Sequence, residues 1–515
     1  MAGSSTVEAA ADRAATAIDL DSHWTTPSSY KRIRISTRDE IETTYPLIAA
    51  YVKDPTLALT IDEMVVDPDA WPGRWKGCSF FPGSELDEPP KPVDEEAHAA
   101  IEKYVRALGL GNATTDAMIA VLRWKKDHLL GLRPETPDSF DRQNQKYAGM
   151  ATVVLLSLAR NIKTLHMGRM LDHVMEDYFL HNNHGRLPTL SLQKLETLHH
   201  VALQPRDERY YNDLDPISHL RCFHRLPALE SFSMDAVIQE QDTLRFSYPS
   251  RTGSLKHLHI TRVDISSTVL AAMIRLPRTL ESFTLSMGGF YSTDGGSSMM
   301  YLKTLGKALR EHKMTLRVLD LDLGDSGTGN NPEEEGGGPD DDDDEEEDDE
   351  ADYMDEWYQL DLADSSGPRW TYELPNGNDG PFGMGIGSLK SFTALRHLSI
   401  DPHTLLGWKQ QVYTYEAGME PYYRDVFDPP FRLIDALPQG LEVLKLRGYT
   451  PKKDATVDGN IRELMRLKGE RLPNLRLVEG VGEETEVETD LSSHTADGEP
   501  WQQPNKNLNW VRDEL

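Results

Sequence analysis

A six-residue phrase with apolar residues at its first, fourth and sixth positions recurs nine times along the chain, one copy carrying His200 at the sixth, and a recurring unit constrains a fold more than composition does. The first copies are Ile162-Lys-Thr-Leu165-His-Met167, Leu195-Glu-Thr-Leu198-His-His200 and Leu229-Glu-Ser-Phe232-Ser-Met234. Leu255-Lys-His-Leu258-His-Ile260, Leu280-Glu-Ser-Phe283-Thr-Leu285 and Leu316-Arg-Val-Leu319-Asp-Leu321 follow, then Leu395-Arg-His-Leu398-Ser-Ile400, Leu441-Glu-Val-Leu444-Lys-Leu446 and a weaker Leu472-Pro-Asn-Leu475-Arg-Leu477. Successive first positions are 33, 34, 26, 25, 36, 79, 46 and 31 residues apart. Several copies follow a Leu-Pro step, as at Leu226-Pro, Leu276-Pro, Leu437-Pro and Leu472-Pro. A helix does not easily continue through such a Pro, so each step reads as a helix ending and turning into a short strand. Alternate residues of that strand point to opposite faces, so the leucines stack inward from copy to copy while the chain returns along the outside. Helical returns are expected at 268–276, at 299–312 behind Ser298 as N-cap, and at 460–467.

The rest of the 515-residue chain is organised around this core. Residues 1–45 read as a disordered or weakly ordered leader, and 46–150 as a capping region that covers the apolar end of the stack. Within that cap, Leu57-Ala-Leu59-Thr-Ile61 alternates like a strand and offers an initial repeat. A Pro- and Gly-rich insertion from 68 to 92 follows it, then helical stretches near 95–108 and 115–126. The repeats occupy 151–480. Trp71 and Trp75 flank Pro72-Gly73-Arg74 as a packed loop, and Cys78 and Cys222 read as small buried apolar residues.

Charge is concentrated rather than spread. The formal net charge is −31, yet 17 acidic residues and no basic one lie between Glu333 and Glu356, including an unbroken run from Asp340 to Glu350. Setting that segment aside leaves −14. A block of like charges repels itself and has little apolar area to bury, so 325–368 is expected to be a disordered insertion within the repeats. The acidic stretch 481–515 is expected to be disordered as well. The run is a solubilising loop, or a lure for basic proteins; it lacks the Asp/Asn/Gly spacing of a calcium loop.

The repeat series resembles the leucine-rich-repeat family in its long, irregular form, over roughly 150–480. The resemblance implies an α/β fold: a curved, uneven solenoid of short parallel strands with helical or irregular returns. The copies depart from the family pattern in lacking a regular Asn after the strand. With their Leu-Pro steps and long insertions they look like the repeats of fungal F-box proteins, the substrate receptors of ubiquitin ligases. In that family an N-terminal F-box recruits the ligase core. Here no such helix set is recognisable before residue 60, Tyr45-Pro46-Leu47 being the nearest fragment.

Motifs that carry chemistry are weak. Gly383-Met-Gly385-Ile-Gly387 is followed by a repeat strand instead of following one, the reverse of a phosphate-binding loop. His181-Asn-Asn-His184 lacks a carboxylate or thiol to complete a metal set, and reads as a solvated loop. No nucleophile elbow, Walker-type loop or His-Glu-x-x-His helix is present. We therefore expect no catalytic residue, cofactor or bound metal. The N-terminus has no basic flank and apolar core of a signal peptide, and no apolar run is long enough to span a bilayer. These features lead to an expectation of a soluble cytoplasmic or nuclear protein with no membrane or nucleic-acid partner.

The repeat itself supplies a candidate surface. The third and fifth positions of each copy flank the inward leucine and should form a polar ladder on the concave side. That ladder is Thr164 and His166, Thr197 and His199, Ser231 and Ser233, His257 and His259, Ser282 and Thr284, Val318 and Asp320, His397 and Ser399, Val443 and Lys445. It is rich in hydroxyls and imidazoles, acidic at Asp320 and basic at Lys445. Any water-facing strand surface must be polar, so the ladder is a solvated sheet or the face that grips a protein. The expected function is a non-enzymatic protein-interaction scaffold. The alternatives are a ligase substrate receptor that binds a ubiquitin-ligase adaptor, and a binder of basic proteins through the acidic insertion.

Overall fold

The computed structural model describes residues 29–72, 90–132, 136–170, 173–203, 211–239, 250–289, 300–323, 328–329, 360, 363, 385–407, 410–414, 422–426, 429–481 and 508–512. The run 333–356, Cys78, Trp75 and Ser298 lie outside them. The chain divides into two compact units. One comprises Met1–Pro205, Arg221–Leu229 and Gln502–Leu515, and the other Arg206–Leu220 and Glu230–Trp501. Both are α/β, with parallel strands joined through helices or turns.

In the first unit the strands β1 (Tyr30–Ile35), β2 (Glu63–Val66), β3 (Thr164–Met167) and β4 (Thr197–His200) lie side by side in chain order and pair in parallel. Ile33, Met64, Leu165 and Leu198 share one register row, and all four are buried. The strand pattern therefore begins well before the first leucine copy. Tyr30-Lys-Arg-Ile33-Arg-Ile35 and Ile61-Asp-Glu-Met64-Val-Val66 are two further copies built from other apolar residues. The expected strand at Leu57-Ala-Leu59-Thr-Ile61 is instead a 3₁₀ turn, Leu57–Thr60, with Leu59 exposed. The expectation of disorder over 1–45 fails from Tyr30 onward, because the tyrosine and two isoleucines of β1 have a neighbouring strand to pack against.

Among the described residues of this unit are the helices α1 (Arg38–Lys53), α2 (Glu95–Ala107), α3 (Asn112–Leu129), α4 (Pro137–Leu158) and α5 (His173–Asn183). A reciprocal cap starts α1: Thr37 Oγ1 accepts from the Glu40 amide at 3.4 Å, and Glu40 Oε2 accepts from the Thr37 amide at 3.0 Å. The second half of α4, from Tyr147 to Leu158, is apolar on nearly every side and almost wholly buried, as befits a helix enclosed by others. Here His181-Asn-Asn-His184 is not a solvated loop. Asn182 and Asn183 end α5 and are buried, and their amides bond the Ser191 and Arg221 carbonyls at 3.0 and 2.7 Å. They add partners to turn carbonyls that Gln193 and His224 also approach, at 3.0 and 3.2 Å. Trp71 is buried, donating Nε1 to the Ile35 carbonyl at 3.0 Å.

In the second unit β5 (Ser231–Asp235), β6 (His257–Val263), β7 (Ser282–Met287), β8 (Val318–Asp322), β9 (His397–Ile400), β10 (Val443–Leu446) and β11 (Leu477–Glu479) again follow chain order and pair in parallel. Phe232, Leu258, Phe283, Leu319, Leu398 and Leu444 form one register row, each at most 1% exposed. The returns include α6 (Ser267–Arg275), α7 (Leu302–Arg310), α8 (Pro402–Leu406), α9 (Leu433–Ala436) and α10 (Ala455–Arg471). Leu276, Leu437 and Leu472 each cap the helix before them, so the Leu-Pro steps end helices as expected.

The last copy needs re-registering. Val443 pairs with Leu477, so the phrase starts at Leu475, not Leu472, and Leu472-Pro is the helix-ending step before it. Two leucines three residues apart hid this offset. Leu477 consequently occupies a polar-face position and is 43% exposed.

Candidate functional site

Within each unit the third- and fifth-position residues of neighbouring copies stand opposite one another. In the second unit Ser233, His259, Thr284, Asp320, Ser399, Lys445 and Glu479 form one continuous row. Ser231, His257, Ser282, Val318, His397, Val443 and Leu477 form the other. Opposed β-carbons in such rows stand about 5 Å apart, so the side chains make one surface. His257, His259 and His397 are exposed; Ser231, Ser233, Ser282 and Thr284 are half-buried.

The ladder's charges are not free to attract a partner. Arg447, just past β10, reaches back across β9. Its Nε donates to Ser399 Oγ at 2.7 Å and to Asp320 Oδ1 at 3.1 Å, and its Nη2 to Asp320 Oδ2 at 3.2 Å. Nη1 approaches Asp322 Oδ2, on a side chain 4% exposed, at 3.5 Å. Lys445 pairs with Glu479 at 2.9 Å on the next strand. The expected acidic and basic rungs are therefore each neutralised along the sheet, Asp320 by Arg447 and Lys445 by Glu479, and Ser399 is buried under the guanidinium. The neighbouring Gly448 has φ +63°, and a Cβ there would stand 2.9 Å from Asp401 Oδ2, so a side chain would be both strained and crowded. Burial pushes the Asp401 carboxyl above its ordinary range, and the charge of Asp322 adds to the effect.

A second row escaped the sequence reading. The second position of successive copies carries Glu230, Lys256, Glu281, Arg317, Arg396 and Glu442. Glu230 pairs with Lys256, Glu281 with Arg317 at 3.6 Å, and Arg396 with Glu442 at 3.7 Å. Exposed pairs of this kind contribute about 0–1 kcal/mol each, so their value is in favouring one register over its slips. The change of sign between copies, at every step except Arg317 to Arg396, was the available signal.

In the first unit the corresponding face is more closed. Thr164 faces Thr197 and His166 faces His199, with the imidazoles stacked at 4.8 Å between centroids and 24° between planes. His166 Nε2 lies 2.8 Å from Glu63 Oε1, and Arg32 Nη2 lies 2.6 Å from Glu63 Oε2. Burial works to raise the Glu63 carboxyl, but its hydrogen bonds with His166 and Arg32 and the charge of Arg32 outweigh it and hold the group below its usual range. His166 is 3% exposed, a wall of the face rather than a reaching side chain.

The expectation of disorder over 481–515 fails for 508–512. Val511–Arg512 forms a strand antiparallel to β1, pairing Arg512 with Tyr30 and Val511 with Arg32 across an irregular step. Leu508 is 5% exposed and packs with Val65 and Val201, with Leu203 alongside. Val65 shares a register row with His166 and His199, so Leu508 lies on the polar-ladder side of the sheet. Trp510 stands edge-on to Tyr30, with centroids 5.0 Å apart and planes at 82°.

Among the described residues no group of three or more His, Cys, Asp or Glu side chains is arranged to hold a metal ion, and no helix is long and apolar enough to cross a membrane. Cys222 is buried. Comparisons with family models, curated proteins and solved structures return no match to the chain.

Proposed function

We propose that the protein is a non-enzymatic interaction scaffold built from irregular leucine-rich repeats, whose strand ladder is a protein-binding face on the concave side of a solenoid. Support comes from the in-register rows of the second unit, where exposed His257, His259 and His397 stand among hydroxyls while the fixed charges are paired internally. Such a surface offers hydrogen bonds and flat rings at little desolvation cost and with little long-range pull. It suits contact-driven recognition of a protein in the cytoplasm or nucleus better than steering toward nucleic acid.

The test is quantitative affinity capture with the full chain and with a His257→Ala/His259→Ala/His397→Ala variant. Partners held by the ladder should fall at least tenfold with the variant; an unchanged partner set would refute the reading. A chain lacking 333–356 in the same experiment tests the binding of basic proteins through the acidic run. Retention of a ubiquitin-ligase adaptor would favour the substrate-receptor alternative. Tyr45 and Leu47, the nearest approach to an F-box fragment, are buried within the first unit, and no observation favours that alternative over the scaffold.

A further inference from the structure

We infer that the β1 edge and the adjoining Val65–Val201–Leu203 patch form a binding site for an extended peptide carrying an aliphatic residue two positions before an aromatic one. Residues 508–512 are its resident occupant. The inference rests on the scaffold reading, because it takes the ladder side of the sheet to be the binding face.

Contacts of different kinds, among them the following, hold Leu508-Asn-Trp510-Val-Arg512 in place. Backbone pairing along β1 satisfies an edge strand that would otherwise present open donors and acceptors. The Leu508 side chain enters the apolar patch over Val65 and Val201, and the Trp510 ring meets Tyr30 edge-on. Strand addition at a sheet edge plus pockets for alternate side chains is a recognised way of reading extended peptides: the main chain supplies affinity and the pockets supply specificity. The pairing is short, two register pairs with an irregular step between them, and Val511 and Arg512 remain exposed. A covalently tethered occupant with so short a strand pairing competes through effective concentration as well as through intrinsic affinity. A partner offering the same Leu-x-Trp chemistry on a longer strand would displace it and gain the ladder side of the first unit.

The probe is a fluorescein-labelled peptide of sequence NKNLNWVRD, residues 505–513. Its binding is followed by anisotropy to two full-length chains, the natural one and a Leu508→Asp/Trp510→Ala variant whose resident segment cannot seat. With a tethered effective concentration of ~1 mM and a peptide Kd of ~10–100 µM, the natural chain should bind the probe roughly 10- to 100-fold more weakly than the variant. A probe carrying the same two substitutions should bind neither chain. Equal binding of the probe to both chains, absence of binding to a folded variant, or equal binding of the substituted probe would overturn the inference. Should the variant unfold, the natural chain decides alone. Millimolar unlabelled peptide must then raise hydrogen exchange at 508–512, and unchanged exchange refutes displacement. These outcomes are independent of the capture experiment on His257, His259 and His397, so failure of one is distinguishable from failure of the other.

Discussion

His312 links two successive repeats and makes a sharp pH prediction. It follows α7, is 2% exposed, and uses both ring nitrogens. Nδ1 accepts from the Leu280 amide at 3.2 Å, so the proton sits on Nε2, which donates to the Ile274 carbonyl at 2.7 Å. Protonating Nδ1 would set two N–H groups against each other in a buried site. Burial is the main cause that lowers its pKa to about 4, from an ordinary 6.5; the Ile274 bond opposes the shift and Arg251 reinforces it. The unfolded chain therefore takes up the proton first. The contribution of His312 to stability is full above pH 6.5 and declines as pH falls toward 4. The loss between pH 7 and pH 5 is about 2 kcal/mol, from roughly 1.4 kcal/mol per pH unit in the window where only the unfolded state titrates. Replacement by Gln keeps one donor and one acceptor but does not titrate. At pH 7 His312→Gln should cost about 1–3 kcal/mol through poorer hydrogen bonds, and at pH 5 most of that gap should close. Urea unfolding of both chains at the two pH values, with hydrogen exchange over 276–285 to localise the effect, measures this. A gap that stays within about 0.5 kcal/mol of its pH 7 value would refute the argument.

Three further outcomes follow from other sites. In the first unit Lys125, fully buried, donates to the Glu42 carboxylate and to Asn144 Oδ1 at 3.0 Å. Burial pulls its pKa down against the pull of Glu42, and Lys125 in turn holds the buried Glu42 below its usual range despite desolvation. Lys125→Met should therefore cost about 3–5 kcal/mol in urea unfolding, and the Glu42→Leu/Lys125→Met pair should recover most of it. Arg447→Met removes the guanidinium that pairs with Asp320 and approaches the nearly buried Asp322, and should cost about 2–4 kcal/mol in urea unfolding at pH 7; a loss under about 0.5 kcal/mol would show that the pairing adds nothing to stability. Gly306 sits in α7 where a Cβ would stand 2.1 Å from the Ile386 carbonyl, so Gly306→Ala, normally favourable in a helix, should instead lower the melting temperature.

The legible part of this fold is the part fixed by the strand period. In the copies that start from Ile162 to Leu441 the inward row and the polar row were readable, and Thr164 through Lys445 lie in the expected register. The two earliest copies were missed because Tyr30, Ile33, Met64 and Val66 do the same packing with different apolar shapes, which a leucine template does not see. The last was misplaced because Leu472, Leu475 and Leu477 satisfy two registers, and only pairing with Val443 separates them. Arg447 and His312 were beyond a period-based reading for another reason: each acts on residues more than 30 positions away, and their partners become neighbours only after the strands have paired.

That same logic explains how so uneven a repeat holds together. Spacings from 25 to 79 residues feed strands that pair without interruption in the second unit. Closing a longer connection costs only about 0.6 kcal/mol for each doubling of its length, whereas burying one leucine contributes about 1.5–3 kcal/mol. A copy therefore needs its six-residue phrase in register, and the connection between phrases is free to lengthen. The acidic run, set between Leu321 and Leu395, falls in the longest of these connections, where added length costs less than a single inward leucine returns. His257, His259 and His397 are exposed and lie outside the inward row, so substitution at these positions leaves the buried row beneath them intact.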